Sequence, residues 1–292
     1  FTCANIGVST ATLTAIDASN NQGTCTAQIT TEDNINPTAT CQNITVQLDA
    51  AGNGTLSTGE VNNGSADACG IASMNVSPNS FTCANTGNNT VTLIVNDNNG
   101  NSANCTATAL VEDNVGATAL CQNATVMLDG DGAGSLSTND VDNGSTDACG
   151  IASYSLLPNT FSCADVGPVI MTLQVTDNHS NVSQCTAEAL VQDNISPTAI
   201  CQDASIQLDA GNNASITTGD VDGGSFDSCG IASMSVNPNS FTASNVGANT
   251  VTVMVNDVNG NNATCNAVVT IQDTSLQAVS YTHLTLPTKA LV

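Results

Sequence analysis

The sequence has 292 residues, of which 25 are acidic and only one, Lys289, is basic. Binding to nucleic acid or to an anionic membrane surface depends on Lys and Arg, so this charge balance excludes both partners. Aromatic residues make up 2% of the chain and Trp is absent, so the core must consist mainly of small and β-branched side chains, which favour strands.

Thirteen cysteines occur without any Cys-x-x-Cys pair, and the chain has two histidines. Zinc sites need closely spaced thiolates or imidazoles, so disulfides are the better interpretation. Disulfides persist outside the cytosol, which predicts an extracellular or cell-surface location and an export signal upstream of Phe1. No apolar run approaches the roughly 18 residues that span a bilayer, so no membrane insertion is expected.

Short segments with strand-like composition follow one another from residue 44, separated by turn formers, and no window has a helical stripe. In chain order the predicted strands are 44–48, 54–56, 71–76, 80–83, 90–95 and 106–111. Asn and Gly at 96–101 favour a hairpin turn between the last two. Six or seven short strands in about 80 residues predict a small β-sandwich.

The whole pattern recurs along the chain at a fixed step. The same residue types recur at Phe1, Phe81, Phe161 and Phe241, and at Cys41, Cys121 and Cys201. Solenoid units run from about 20 to 50 residues, so a period of about 80 residues indicates a repeated small domain. The predicted fold class is therefore all-β, a tandem array of small β-sandwich domains.

Turn formers interrupt the apolar alternation once per period, at 33–37, 113–117 and 193–197. The predicted domains are the C-terminal part of a truncated repeat at 1–36, complete repeats at 37–116, 117–196 and 197–276, and a non-repeat tail at 277–292. The joints are short, so we expect neighbouring repeats to stack with restricted swing. From Val279 the tail resembles a translated sequencing adapter, and we exclude it from the fold.

An acidic segment in each complete repeat has the spacing of an EF-hand calcium loop. It begins with Asp49, has Asn53-Gly54 at the fifth and sixth positions, and ends with Glu60 at the twelfth. In an EF-hand the glycine makes the sharp turn and the final acid chelates calcium. An acidic β-turn explains the same pattern, because the flanks are strand-like. The candidate calcium ligands are Asp49, Asn53, Glu60, Asp129, Asp131, Asp140, Asp209, Asn213 and Asp220.

A second acidic cluster precedes the Cys-Gly-Ile-Ala-Ser motif. Its members are Asp140, Asp142 and Asp147 in one copy and Asp220, Asp222 and Asp227 in the next. Calcium at this place would stiffen a joint between domains, and solvated loop carboxylates are the alternative.

The repeats offer no catalytic set of residues. His179 is their single histidine, and it occupies a turn position that Asn99 and Asn259 hold in other copies, so we expect a role at the turn surface. Without a second His, or any Lys or Arg, neither a triad nor a phosphate clamp can be assembled. We therefore expect no enzyme activity.

Several residues of the repeat match a known extracellular module. They are Asp67-Ala68-Cys69-Gly70-Ile71-Ala72-Ser73, Phe81, Gly87, Thr90-Val91-Thr92, Asp97, Gly100-Asn101 and Cys105-Thr106. On these residues the unit resembles the hyalin repeat, an immunoglobulin-like module, and it is similar to repeats of very long surface proteins of environmental bacteria. The resemblance implies immunoglobulin-like sandwiches that serve as spacers or in adhesion, without catalytic residues.

Four cysteines per repeat allow three pairings. Hyalin repeats with two cysteines keep those matching Cys41 and Cys105, which implies this bridge and leaves Cys69 to pair with Cys83. The rival pairing joins Cys41 to Cys69 and Cys83 to Cys105. The implied bridges elsewhere are Cys121–Cys185, Cys149–Cys163 and Cys201–Cys265.

In the last repeat, Ala243 stands at the position of Cys83. The pairing implied by the resemblance therefore predicts a free thiol at Cys229. The rival pairing would instead leave Cys265 without a partner.

These observations predict a non-catalytic extracellular structural spacer or adhesive stalk at a bacterial cell surface. Its expected partners are neighbouring repeats of the same chain, together with surface glycans or other cells. The alternative is a calcium-dependent adhesin or glycan-binding module, and calcium is the only cofactor considered. A rise in thermal stability with calcium would favour the alternative.

Overall fold

The computed structural model describes residues 1–273. The predicted tail at 277–292 and the last three residues of the third complete repeat, 274–276, lie outside the described residues. The described chain begins with an antiparallel hairpin of β1 (Gly7–Ile16) and β2 (Gln22–Thr31). Three copies of one β-sandwich follow it. No helix in the described part is long and apolar enough to cross a membrane.

The first complete repeat contains six strands and one short helix. They are β3 (Ile44–Gln47), β4 (Asn53–Thr55), α1 (Thr58–Val61), β5 (Ile71–Ser77), β6 (Ser80–Thr82), β7 (Gly87–Asp97) and β8 (Ser102–Glu112). One sheet has the order β3-β8-β7-β5 and the other pairs β4 with β6. The β3–β8 pair is parallel and the other pairs are antiparallel. All six predicted strands are therefore confirmed, with boundaries shifted by a few residues.

The next two repeats have the same elements in the same order. The second contains β9 (Ala124–Met127), β10 (Ala133–Ser135), α2 (Thr138–Val141), β11 (Ile151–Leu157), β12 (Thr160–Ser162), β13 (Gly167–Asp177) and β14 (Val182–Gln192). The third contains β15 (Ala204–Gln207), β16 (Asn213–Ser215), α3 (Thr218–Val221), β17 (Ile231–Asn237), β18 (Ser240–Thr242), β19 (Gly247–Asp257) and β20 (Asn262–Gln272).

The core of each sandwich lies between its two sheets. Val91, Leu93 and Val95 alternate along β7 and are fully buried, as period-2 alternation predicts. Phe81 on β6 faces them from the smaller sheet and is 2% exposed. Apart from this Phe, the core of the first repeat consists of Val, Leu, Ala and similar aliphatic side chains, as the composition requires.

The opening hairpin has the same alternation, but its apolar face is uncovered. Leu13 is 68% exposed, whereas Leu93 at the matching position of β7 is 0% exposed. In the first complete repeat, the smaller sheet of β4 and β6 covers this face. The assignment of 1–36 as part of a repeat stays a prediction from the sequence period.

A glycine lets the two sheets approach each other in the first repeat. Gly54 on β4 pairs with Phe81, and a Cβ on Gly54 would lie 2.7 Å from Cγ1 of Val46. The third repeat has Ala214 at this position. There Leu208 is half-buried, whereas the matching Leu48 is 3% exposed, so the third core is less well covered.

The described chain divides into two compact units. One contains Phe1–Leu120, Gly144–Ser155 and Gln174–Cys185, and the other contains Cys121–Asn143, Leu156–Leu173 and the residues from Thr186 onward. The second complete repeat contributes segments to both units. The predicted boundaries at 36, 116 and 196 therefore remain predictions from the sequence period.

Candidate functional site

Within residues 1–273 the reactive side chains are cysteines and carboxylates, together with His179, and this part of the chain has no Lys or Arg. Twelve cysteines are disulfide-bonded, and Cys25 is free and exposed. Half of the disulfides, and hydrogen bonds of the long hairpin turns, lie where one repeat meets the next. These junctions are therefore the candidate functional site.

One set of disulfides closes each complete repeat on itself. Cys41 is bonded to Cys105 and Cys201 to Cys265, each with a sequence separation of 64 residues. Both pairs are those implied by the hyalin-repeat resemblance. Cys121 and Cys185, at the matching positions of the second repeat, are also disulfide-bonded. The bridge ties the last long strand of the sheet to the segment before its first strand.

The other set of disulfides joins consecutive repeats, and here the sequence prediction was wrong. The expected pairs Cys69–Cys83 and Cys149–Cys163 do not form. The bonds are Cys3–Cys69, Cys83–Cys149 and Cys163–Cys229, each with a separation of 66 residues. Cys229, predicted to be a free thiol, is thus bonded to the preceding repeat.

Strand geometry explains why Cys69 and Cys83 do not pair. Cys69 precedes β5, whose seven residues span roughly 23 Å at the usual strand rise. Cys83 follows β6, which has only three residues and belongs to the other sheet. The segment from the end of β5 to Cys83 is therefore too short to bring Cys83 back beside Cys69.

A glycine packs directly against each of two bridges between repeats. Gly52 has φ +75°, and a Cβ there would lie 2.6 Å from Cys83 Sγ and 3.2 Å from Ala148 Cβ. Gly132 lies in the same way against Cys163. In the third repeat the pair changes together, because Asn212 stands at the glycine position and Ala243 at the cysteine position. Without the sulfur, a side chain fits at this turn.

Gly132→Ala is expected to destabilise the protein more than Gly144→Ala. Both glycines have a positive φ, at +76° and +81°, so both substitutions carry a backbone cost of about 1 kcal/mol. A Cβ on Gly132 would lie 2.5 Å from Cys163 Sγ, whereas nothing lies within 4 Å of Gly144. Overpacking adds about 1–3 kcal/mol at Gly132 alone. Denaturant unfolding of the two variants measures the difference, and equal losses would contradict it.

A buried aspartate in each long hairpin turn holds an Asn side chain, and this Asn donates a hydrogen bond to the segment between two repeats. Asp257 is 3% exposed and accepts hydrogen bonds from the backbone N–H groups of Asn259 and Asn261 and from Asn261 Nδ2. The same Nδ2 donates to the carbonyl of Asp193, 3.1 Å away, in the segment between repeats. Asp97–Asn101–Asp33 and Asp177–Asn181–Asp113 repeat this arrangement.

We expect acid to weaken this turn. Burial raises the pKa of Asp257, but the hydrogen bonds from Asn261 and Asn259 outweigh it and lower the pKa below its ordinary value of 3.8. The carboxylate therefore stabilises the fold fully above that value, and this contribution is lost as pH falls through the lower folded pKa. Asp257→Asn should reduce the loss of stability between about pH 5 and pH 2. The exposed Glu188→Gln controls for charge, and an unchanged pH dependence in Asp257→Asn would refute the assignment.

His179 lies in its turn as predicted but is directed at the junction rather than at solvent. Its Nδ1 atom lies 3.1 Å from Oδ2 of the buried Asp113 and forms an ion pair with it when the imidazole is protonated. The other junctions have Asn99 and Asn259 at this position. Each of these two Asn side chains has a buried Oδ1 without a hydrogen-bond donor.

In the predicted calcium loops, the first aspartate accepts hydrogen bonds from backbone N–H groups of the same loop. Asp49 Oδ1 accepts the N–H groups of Ala51 and Asn53 at 2.9 Å, and Asp129 and Asp209 do the same in their turns. Asp131 is exposed, and Asn213 donates its side-chain amide to Gly211. Calcium binding by these loops stays a prediction.

The final acids of those loops are helix caps. Glu60 accepts hydrogen bonds from the hydroxyl and backbone N–H of Ser57 at the start of α1, and these bonds lower the pKa of Glu60. Asp140 and Asp220 cap α2 and α3 in the same way. The Ser-x-x-Glu spacing is a capping-box signal, which predicts these short helices, whereas four residues are too few to form a helical stripe.

Acidic side chains from two consecutive repeats do converge at the junctions. Oxygen atoms of Asp113, Asp147 and Asp177 lie within 4.8 Å of one another, and Asp193 approaches Asp227 beside Cys229. Of the second predicted acidic cluster, Asp147 and Asp227 thus belong to junctions. The Oδ2 atom of buried Asp193 has no hydrogen-bond donor.

The repeated strand order and the core between two sheets define a tandem array of immunoglobulin-like β-sandwiches. No protein-family model and no curated protein matches the chain. Among solved structures, cadherin domains 1–4 of protocadherin gamma B7 align over 92% of this chain and 84% of that chain, with 13% identity and a TM-score of 0.32. Titin domains I67–I69 align over 82% and 99%, with 10% identity and a TM-score of 0.34. Immunoglobulin domains 1–4 of Sidekick-1 align over 91% and 90%, with 8% identity and a TM-score of 0.29.

Proposed function

We propose that this chain is a non-catalytic extracellular spacer or adhesive stalk at a bacterial cell surface. The observation that carries the proposal is the repetition of one disulfide-closed sandwich with a further disulfide at each junction. Units of one fold and equal length, joined covalently, would add length in equal steps. The disulfides support an oxidising extracellular location, and the resemblance to hyalin repeats supports a spacer.

The spacer function is tested by changing the number of repeats. Chains with zero, one or two added copies of residues 117–196 are anchored to a surface by one end and labelled with a fluorophore at the other. We expect the height of the fluorophore above the surface to rise by the same increment for each copy. A height that does not change with copy number would overturn the proposal.

A second candidate function is calcium-dependent adhesion, favoured by the carboxylates that meet at the junctions. Asp193 has a buried, unsatisfied Oδ2 atom and lies near Asp227, so a divalent cation would find oxygen ligands there. A calcium titration separates the two functions. A large rise in melting temperature that EDTA reverses would support the second function, provided that Asp193→Ala abolishes it.

A further inference from the structure

We propose that the disulfides between repeats limit how far the chain extends under tension, so that the array transmits a pulling force with little lengthening. This inference deepens the proposed spacer function and rests on it. It follows from the order of the bridges along the chain, whatever the arrangement of the repeats in space.

The covalent route from Cys3 to Cys229 is much shorter than the backbone. It crosses from Cys3 to Cys69, follows the backbone to Cys83, crosses to Cys149, follows the backbone to Cys163 and crosses to Cys229. Each crossing bypasses 66 residues. Only the segments 69–83 and 149–163 therefore lie in the path of an applied force.

The effect on length is large. Without bridges, the backbone from Cys3 to Cys229 would extend to roughly 800 Å at about 3.5 Å per residue. With the bridges, the two short segments and the three crossings extend to about 110 Å. A sandwich that unfolds under load therefore releases little length.

The segments in the path have little slack. Residues 69–83 consist mostly of β5 and β6, and β5 runs as an extended strand for seven of them. Strands already rise about 3.3 Å per residue, close to the maximum. The long β7–β8 hairpin lies in a bypassed loop, so its rupture adds no length.

The bridges within repeats do not shorten this route. Cys41 lies in the loop bypassed by Cys3–Cys69, and Cys105 lies in the loop bypassed by Cys83–Cys149. Removal of Cys41–Cys105 destabilises a sandwich but leaves the shortest covalent path unchanged. The two sets of disulfides thus have separable roles, and this provides a matched control.

The series of disulfides between consecutive repeats ends at Cys229. Cys83 and Cys163 each reach forward to the next repeat, whereas Ala243 offers no sulfur for such a bond. Asn212, which replaces the glycine that packs on the bridge, has changed with it. Residues beyond Cys229 are therefore not protected from extension by a bridge from position 243.

The test is single-molecule force spectroscopy on the full chain, held by peptide tags at its two ends. Full reduction should increase the maximum extension by roughly 650–700 Å, because the three bridges together bypass about 200 residues. Cys83→Ser with Cys149→Ser, under oxidising conditions, should add about 100 Å or more, since the remaining bridges offer only longer routes. Cys41→Ser with Cys105→Ser should add none.

An oxidised chain that extends as far as the reduced one would overturn the inference. Equal extension of the two double variants would also overturn it. Non-reducing peptide mapping, with a protease that cleaves beside acidic residues, checks the remaining bridges in any variant that folds poorly. A chain that passes the height test but lengthens freely is a spacer without this protection, so failure of the inference is distinct from failure of the proposed function.

Discussion

Removal of the Cys201–Cys265 bridge by Cys201→Ala with Cys265→Ala is expected to lower the free energy of unfolding of the third repeat by about 4 kcal/mol. The bridge joins residues separated by 64 positions, and chain-entropy estimates assign an effect of this size to such a loop. The third sandwich is also the one with the less well covered core, so it has little stability to spare.

Hydrogen exchange of the backbone amides of β19 and β20 measures this loss where it occurs. These strands carry the most buried residues of the third repeat, so their exchange reports the opening of that sandwich. Cys25→Ala is the matched control, because Cys25 is an exposed free thiol and its substitution should leave stability within about 0.5 kcal/mol. A loss below about 1 kcal/mol in the double variant would contradict the role assigned to the bridge.

The strands could be predicted from the sequence because their signal is local. Alternation along β7 places Val91, Leu93 and Val95 on one face of the strand. Apolar residues recur at the matching positions of the other copies. The bulge near Ile71 and the parallel β3–β8 pair depend on contacts distant in sequence. Neither feature has a local pattern from which it could be predicted.

The disulfides between repeats were harder to predict, because the Cys-Gly-Ile-Ala-Ser motif offers Cys83 a candidate partner in its own repeat and another in the next repeat. Cys69 precedes it within the repeat, and Cys149 stands at the matching position of the next repeat. The family resemblance implies the first partner, whereas the observed bond uses the second.

One signal in the sequence indicated what packs against the Cys83 sulfur, and it applies equally to either partner. Gly52 accompanies Cys83 and Gly132 accompanies Cys163, whereas Asn212 accompanies Ala243. Joint changes of this kind indicate contact, here of a glycine turn with a sulfur.

The acidic loops satisfied two patterns at once. Glu60 fits the last position of an EF-hand loop and also the third helical position of a capping box with Ser57. Spacing alone does not separate these alternatives, since both need an acid near a turn. The carboxylate makes the contact of a capping box, because its Oε2 atom lies 2.7 Å from the backbone nitrogen of Ser57, and calcium binding stays a prediction.

Phe81→Ala is expected to lower the free energy of unfolding of the first repeat by about 3–5 kcal/mol. Phe81 is 2% exposed, lies opposite Gly54 and is the one aromatic side chain in that repeat's core of small aliphatic residues. Its removal leaves a cavity that stiff β-strands and short side chains cannot fill, so the loss should exceed that of an aliphatic truncation. Phe1→Ala is the control at the same position of the period, because Phe1 is 77% exposed and should change stability by less than about 0.5 kcal/mol. Hydrogen exchange of β7 and β8 measures both variants, and a loss at Phe81 no larger than at Phe1 would show that this side chain does not hold the two sheets together.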